Sequence, residues 1–387
     1  MSEIYLDNSA TTKMSLGAAS KMNEVISEHY GNPSSLHKRG LDSEHILTEA
    51  REIIGKSLGI SRLTKGEIVF TSGGTEANNL AILGTVFSKN RRGNEVILTT
   101  QGEHSSVEEP MTYLEGLGYK VIRVPTKNGK LDLDFIREHA YNVILASLMH
   151  VNNETGAIYN IKDAFDIIKE KSPQAVLHAD CVQSYLKVKF TKNKIGADLI
   201  TISGHKVNGP KGVGALYVDP QIIKAKRIVP VLLGGGQEEN LRSGTENVYG
   251  IAGFGQAVSE HLNTLDSEIS RMEDVSNYLI NILSKNESIK INLPENKVCH
   301  IVNITVNGIR SETLLHYLSS KDIYVSSGSA CSSHSKKGRS RALTAFGLSP
   351  LDIDSAIRIS LNPQNTREEI DILASALIEA TNRLAKR

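Results

Sequence analysis

The stretch Glu67-Ile-Val-Phe-Thr-Ser-Gly-Gly-Thr-Glu-Ala-Asn-Asn-Leu80 passes from a β-prone apolar run, through two glycines, into an apolar pattern with helical spacing. A strand, a tight turn and a helix in succession form one unit of an α/β fold. The turn sets backbone N–H groups and hydroxyls at the start of the helix, which suits a phosphate. An ordinary glycine turn capped by Thr75 is the alternative for this motif taken alone. Upstream, Ile46, Leu47, Ala50, Ile53, Ile54 and Leu58 keep the spacing of one helical face. Downstream, residues 95–100, 121–124, 143–148, 175–179 and 199–202 are near-continuous β-prone runs, as expected of strands buried on both faces of a largely parallel sheet. Ligands of open α/β sheets bind at the carboxyl ends of the strands, so residues 72–75, Asp180 and residues 203–206 are expected on one rim.

Beyond about residue 260 the texture changes. A charged helical stretch over 259–285 precedes Val302-Asn-Ile-Thr-Val306, a glycine- and serine-rich segment at 326–335, and an amphipathic helix from Arg367. The chain reads as a large domain over 16–257 and a smaller α+β domain built from 1–15 and 258–387. Within the latter, a cysteine-bearing loop covers about 326–341, and its small, polar and basic stretch 332–341 is expected to be mobile.

At 387 residues the chain is long enough for two such cores. A formal net charge of +1 gives no electrostatic reason to expect nucleic acid or an anionic membrane as partner. Apolar runs such as 143–148 and 228–233 are strand-length, far short of the roughly 20 residues of a membrane helix. Neither a basic region nor an apolar export core opens the sequence. Three cysteines at irregular spacing, Cys181, Cys299 and Cys331, suit a reducing compartment, so a cytoplasmic location is expected. The absence of a C-x-x-C pair speaks against a structural metal site.

Four further clusters bear on chemistry. In His178-Ala-Asp-Cys-Val-Gln183, Asp180 closes a strand, where it is either a helix cap or the carboxylate that keeps a pyridinium nitrogen protonated. In Ser203-Gly-His-Lys-Val-Asn-Gly-Pro210, Lys206 directly follows a buried strand, a setting that lowers the pKa of a lysine that must form a Schiff base. Cys331 lies in Ser326-Ser-Gly-Ser-Ala-Cys331 ahead of Lys336, Lys337, Arg339 and Arg341, surroundings that favour thiolate. Arg358, alone among apolar residues in Ala-Ile-Arg-Ile-Ser-Leu361, is either a structural ion-pair partner or a fork for a carboxylate.

In this order, and with Tyr5-Leu-Asp-Asn-Ser-Ala-Thr-Thr12, Tyr30-Gly-Asn-Pro-Ser-Ser35, Glu103-His104, Met149-His-Val-Asn-Asn-Glu154, Gly234-Gly-Gly-Gln237 and Arg242-Ser-Gly-Thr-Glu-Asn247, these motifs resemble the cysteine desulfurases of the NifS/IscS type. Those enzymes belong to the class V aminotransferase group of fold-type I pyridoxal-phosphate (PLP) enzymes. The resemblance implies a mostly parallel seven-stranded sheet in the large domain. It implies that Lys206 holds PLP covalently, Asp180 pairs with the ring nitrogen and His104 stacks on the ring. Gln183 and Asn153 would lie near the ring hydroxyl or the substrate. Gly74, Thr75, Ser203 and His205 would hold the phosphate, with Thr245 reaching it from the partner subunit of a homodimer. Arg358 would bind the carboxylate of L-cysteine, and Cys331 would accept its sulfur for delivery to an iron–sulfur scaffold or another acceptor. Cys331 is also the residue suited to transient ligation of an iron–sulfur centre. Cys181 stands where the family more often has alanine and is expected to be a packing thiol. Alternatives within the same scaffold are a selenocysteine lyase and a class V aminotransferase; outside catalysis, a sulfur-relay scaffold.

Overall fold

The computed structural model describes residues 3–327 and 339–384. Strand β1 (Ile4–Tyr5) opens the chain, and seven strands follow: β2 (Ile68–Thr71), β3 (Val96–Thr100), β4 (Lys120–Val124), β5 (Val143–Met149), β6 (Val176–Asp180), β7 (Leu199–Ser203) and β8 (Gly214–Val218). These seven form one sheet in the order β2-β8-β7-β6-β5-β3-β4. Neighbouring strands from β7 through β4 are parallel, while β8 runs antiparallel to both β2 and β7. The mostly parallel seven-stranded sheet expected from the sequence is therefore present.

Period-2 alternation splits each run between two apolar layers. Ile97, Leu145, Val176 and Leu199 pack on one face with Leu80, Val107 and Met111, while Leu98, Ala146, Leu177 and Ile200 pack on the other. At the edge, β4 keeps Lys120 exposed and ties Arg123 to Glu108 and Glu115, so charge guards an otherwise open ladder.

A second sheet joins β9 (Ile289–Ile291), β10 (Ile301–Val306), β12 (Ser326–Ser327) and β13 (Ala356–Ser360) in the antiparallel order β12-β13-β10-β9. Between them in sequence, β11 (Ile323–Tyr324) pairs in parallel with β1. Leu6, Val302, Ile304, Ile357, Ile359, Leu373 and Leu377 form the apolar core of this part.

One sequence expectation needs correction. The helix expected from residue 259 starts at Val248 and runs to Leu283. Its first third holds Gly250, Gly253 and Gly255, which read as helix-poor. They are needed for close approach: a Cβ at Gly255 would lie 2.9 Å from the Ala50 Cβ, and one at Gly253 would lie 2.6 Å from the Met22 Cγ. Val248, Ile251 and Phe254 belong to the core of the large sheet, and Val275, Leu279 and Leu283 to that of the small one, so this single helix links both. The apolar run at 228–233 is not a strand, and Val231, Leu232 and Leu233 are exposed.

Candidate active site

Five strands that run in one direction deliver polar side chains to one rim. The loops after β2, β3, β5, β6 and β7 enclose a cavity of ≈ 290 Å³ lined by Gly74, Thr75, His104, Asn153, Asp180, Gln183, Ser203, His205, Lys206 and Arg358, together with Ser9 and Ala10. Of the described residues that the resemblance assigns to cofactor or substrate, Thr245 alone lies outside this cavity. Thr245 lies in a separate apolar groove with Ile26, Tyr30 and Tyr249. Cys331 and most of its segment lie outside the described residues.

Lys206 follows β7 in a short 3-10 turn. Its Nζ donates to the carbonyl oxygens of Ser9 and Ala10 at 2.6 and 2.8 Å, so the N-terminal segment forms one wall. Asp180 ends β6 and is buried. One of its oxygens accepts from the Val182 backbone N–H at 3.0 Å, the other from Asn78 Nδ2 at 2.8 Å. These bonds hold the carboxylate in place at the cavity lining.

The glycine turn after β2 starts the helix Gly74–Phe87 with no side-chain cap, leaving its first N–H groups for a ligand. Gly74 is required by crowding: a Cβ there would sit 2.9 Å from Val182 Cγ2. Across the turn, Ser203 Oγ is buried without a partner. Burial, reinforced by Lys206, Lys211 and Lys187, pushes the His205 pKa down to about 4 and keeps the ring neutral.

His104 caps the helix Ser105–Gly116. It is exposed and lines the cavity, and desolvation is the largest of the effects that lower its pKa; Asp180 opposes that shift. Arg358 sits in the middle of β13, its side chain 5% exposed. Asp7 supplies the ion-pair partner that one sequence reading expected. One Nη donates to Asp7 Oδ1 at 2.8 Å and the other to the Asn153 carbonyl at 2.9 Å, while Nε is buried without a partner.

Three contributors escaped sequence reasoning. Asp7, Asn78 and Ser106 each lie inside or beside a quoted motif, but their partners are distant in sequence and no spacing rule reveals them. Cys181 is fully buried, and burial holds its thiol far above the ordinary range, so it packs rather than reacts.

A family model described as aminotransferase class-V matches residues 4–373. The chain belongs to the class-V aminotransferase family. Within it, the chain is 37% identical to the cysteine desulfurase IscS of Dictyoglomus turgidum over 97% of its own length and 93% of the relative's. It is 39% identical to the cysteine desulfurase IscS of Methylobacillus flagellatus, covering 95% and 89%. Among solved structures, a NifS-like protein superposes with a TM-score of 0.90 at 34% identity, covering 98% of this chain and all of that one. SspA in complex with cysteine gives 0.81 at 31% identity, covering 94% and 100%. This class-V chain is accordingly a PLP-dependent enzyme of the cysteine desulfurase branch.

The cavity fits that cofactor on its own chemistry. A lysine amine, a carboxylate fixed by two donors, an uncapped helix start and a neutral imidazole converge on it. Two buried acceptors or donors that line it, Ser203 Oγ and Gln183 Oε1, are unpartnered among protein atoms. Orphaned polar atoms of this kind call for a polar ligand.

Proposed function

We propose that this chain takes sulfur from L-cysteine, releases L-alanine and holds the sulfur as a persulfide on Cys331. The observation that carries the reading is one cavity with an anchoring amine, Lys206, a carboxylate for a pyridine nitrogen, Asp180, and a guanidinium, Arg358, for the carboxylate of an amino acid. When bound, PLP supplies an electron sink for charge developing at the substrate's Cα. Gly74, Thr75, Ser203 and His205 are assigned to its phosphate, and Gln183 and Asn153 to its ring hydroxyl or the substrate. Arg358 orients the substrate carboxylate with a charge-assisted hydrogen bond. The Lys206 amine would move the Cα proton. The Cys331 thiolate takes the sulfur atom: L-cysteine and a protein thiol become L-alanine and a protein persulfide, with no outside oxidant or reductant.

Both flanks of the cysteine segment support this assignment. Ser326 pairs with Arg358 across β12 and β13, and Ser340 Oγ donates to Glu154 at 2.7 Å, beside Asn153. Cys331 is the fourth residue after Ser327, a chain length of at most about 14 Å. The persulfide would be passed to an iron–sulfur scaffold or another acceptor protein, in the cytoplasm. Among the described residues no helix is long and apolar enough to cross a membrane.

The reading includes a homodimer. Ile26, Tyr30, Leu36 and Tyr249 are exposed apolar side chains, and all but Leu36 line the groove that also holds Thr245. An apolar groove that carries a residue expected to serve another subunit's phosphate suits a second copy of this chain.

The test is anaerobic incubation of the purified protein with L-cysteine. Alanine release and a gain of one sulfur atom on the Cys331 peptide are expected, and C331S should lose both while keeping the visible chromophore. A yellow protein that instead transfers its amino group to a keto acid would replace this reading with an aminotransferase.

A further inference from the structure

From Asp180, a hydrogen-bond chain runs away from the cavity floor and returns to it at His104. Asn78 is fully buried, and its Nδ2 donates both to Asp180 Oδ2 and to Ser106 Oγ, each at 2.8 Å. The amide orientation is fixed by chemistry, because the carboxylate of Asp180 has only acceptors to offer and the reverse orientation would set oxygen against oxygen. Both hydrogens of the amide nitrogen are thereby committed. Ser106 Oγ, already an acceptor, has one hydrogen left, and it lies 2.8 Å from His104 Nδ1. The backbone N–H of Ser106 donates to the same nitrogen at 3.1 Å.

Two donors aimed at Nδ1 leave that atom no room for a proton. We propose that Asn78 and Ser106 are positioning residues that fix His104 as a neutral imidazole with its proton on Nε2, and that they tie this choice to the carboxylate of Asp180. The neutral ring then presents an N–H donor, rather than a lone pair, toward whatever occupies the cavity. Adding a proton at Nδ1 would turn the Ser106 hydroxyl away and strand its backbone N–H without an acceptor, at the cost of a buried unsatisfied donor. The low pKa of His104, attributed above chiefly to desolvation, is in keeping with this arrangement. The inference rests on the proposed placement of His104 over the cofactor ring, but the tautomer itself does not depend on turnover.

The experiment uses holoenzyme carrying 15N in its imidazole rings, with H104Q to assign the signal. From pH 6 to 9 the native protein is expected to show an unprotonated Nδ1 and a protonated Nε2. In S106A the Nδ1-protonated form should appear, and the pH at which the ring takes its second proton should rise by about one unit. S106T, which keeps the hydroxyl, should restore the native pattern, and N78A should shift it in the same direction as S106A. A native Nδ1 that carries the proton at neutral pH would overturn the proposal. So would S106A and N78A spectra identical to the native one. Alanine release from L-cysteine, measured on the same native sample, reports separately on the function: its absence would remove the desulfurase reading and leave the tautomer result standing.

Discussion

Single side chains govern whether the cavity can do its chemistry. Lys206 is the expected covalent anchor, so K206A should lose the absorbance band of the bound cofactor while its circular dichroism stays native; a retained band would place the anchor elsewhere. Arg358 is buried against Asp7 with one donor unpartnered, and R358A removes the cation but leaves Asp7 alone in its wall. The KM for cysteine should rise by about 100-fold, in line with loss of a charge-assisted pair. Glu103 offers a test through pH. It is buried, with Oε1 held by the Met149 N–H and Thr100 Oγ1, and burial raises its pKa from 4.5 to about 8. Below pH 4.5 folded and unfolded chains both hold the proton. Between there and pH 8 only the folded chain does, so this group makes stability fall as pH rises, by at most about 1.4 kcal/mol per unit. Urea unfolding of E103Q should lose that slope, and an unchanged slope would contradict it. Lys206 and Asp180 were legible in the sequence because each closes a β-prone run, and strand ends are where such sheets work. Asp7 and Asn78 were not, because their roles come from partners 351 and 102 residues away.

At the level of elements, the β-prone runs announced six of the seven strands of the large sheet, β2 in the opening motif and five downstream of it. Strand β8 went unread because Pro210, Gly212 and Gly214 around its start look like a loop. Pro210 and Gly212 belong to the turn that ends the Lys206 segment, and Gly214 is the first residue of the strand. The long helix Val248–Leu283 was read short for a related reason: its glycines lower helix propensity but admit neighbours that no other residue would. The two effects can be set against each other. G255A would gain about 1 kcal/mol in helix propensity. It would also force the Ala50 backbone to shift, since the Ala50 Cα lies 3.0 Å from the new Cβ. Overpacking of a tight contact costs about 1–3 kcal/mol, so a lower urea midpoint is expected. A higher midpoint would show that the two helices have room to separate.

For the whole molecule, the expected assembly is a pair. I26D puts a charge into the groove shared by Tyr30 and Tyr249 and should shift light-scattering mass from two chains toward one; a native-like mass would move the contact to another face. Composition and charge said little on this point, since an apolar groove is a property of the folded surface. The tie between the two chain ends has a temporal consequence. β1 rests on β11, the Ser9 N–H on Ser360 Oγ, and the Ser9 carbonyl receives the Lys206 amine. A nascent chain growing at roughly 5–20 residues per second makes Ser9 more than a quarter of a minute before Ser360 leaves the ribosome. Through that interval the large sheet can assemble, but the wall over Lys206 cannot, and any cofactor captured early would meet a half-open cup. Closure of the cup is thus expected to wait until Ser360 has been made, with residues 4–9 then folding over its strand.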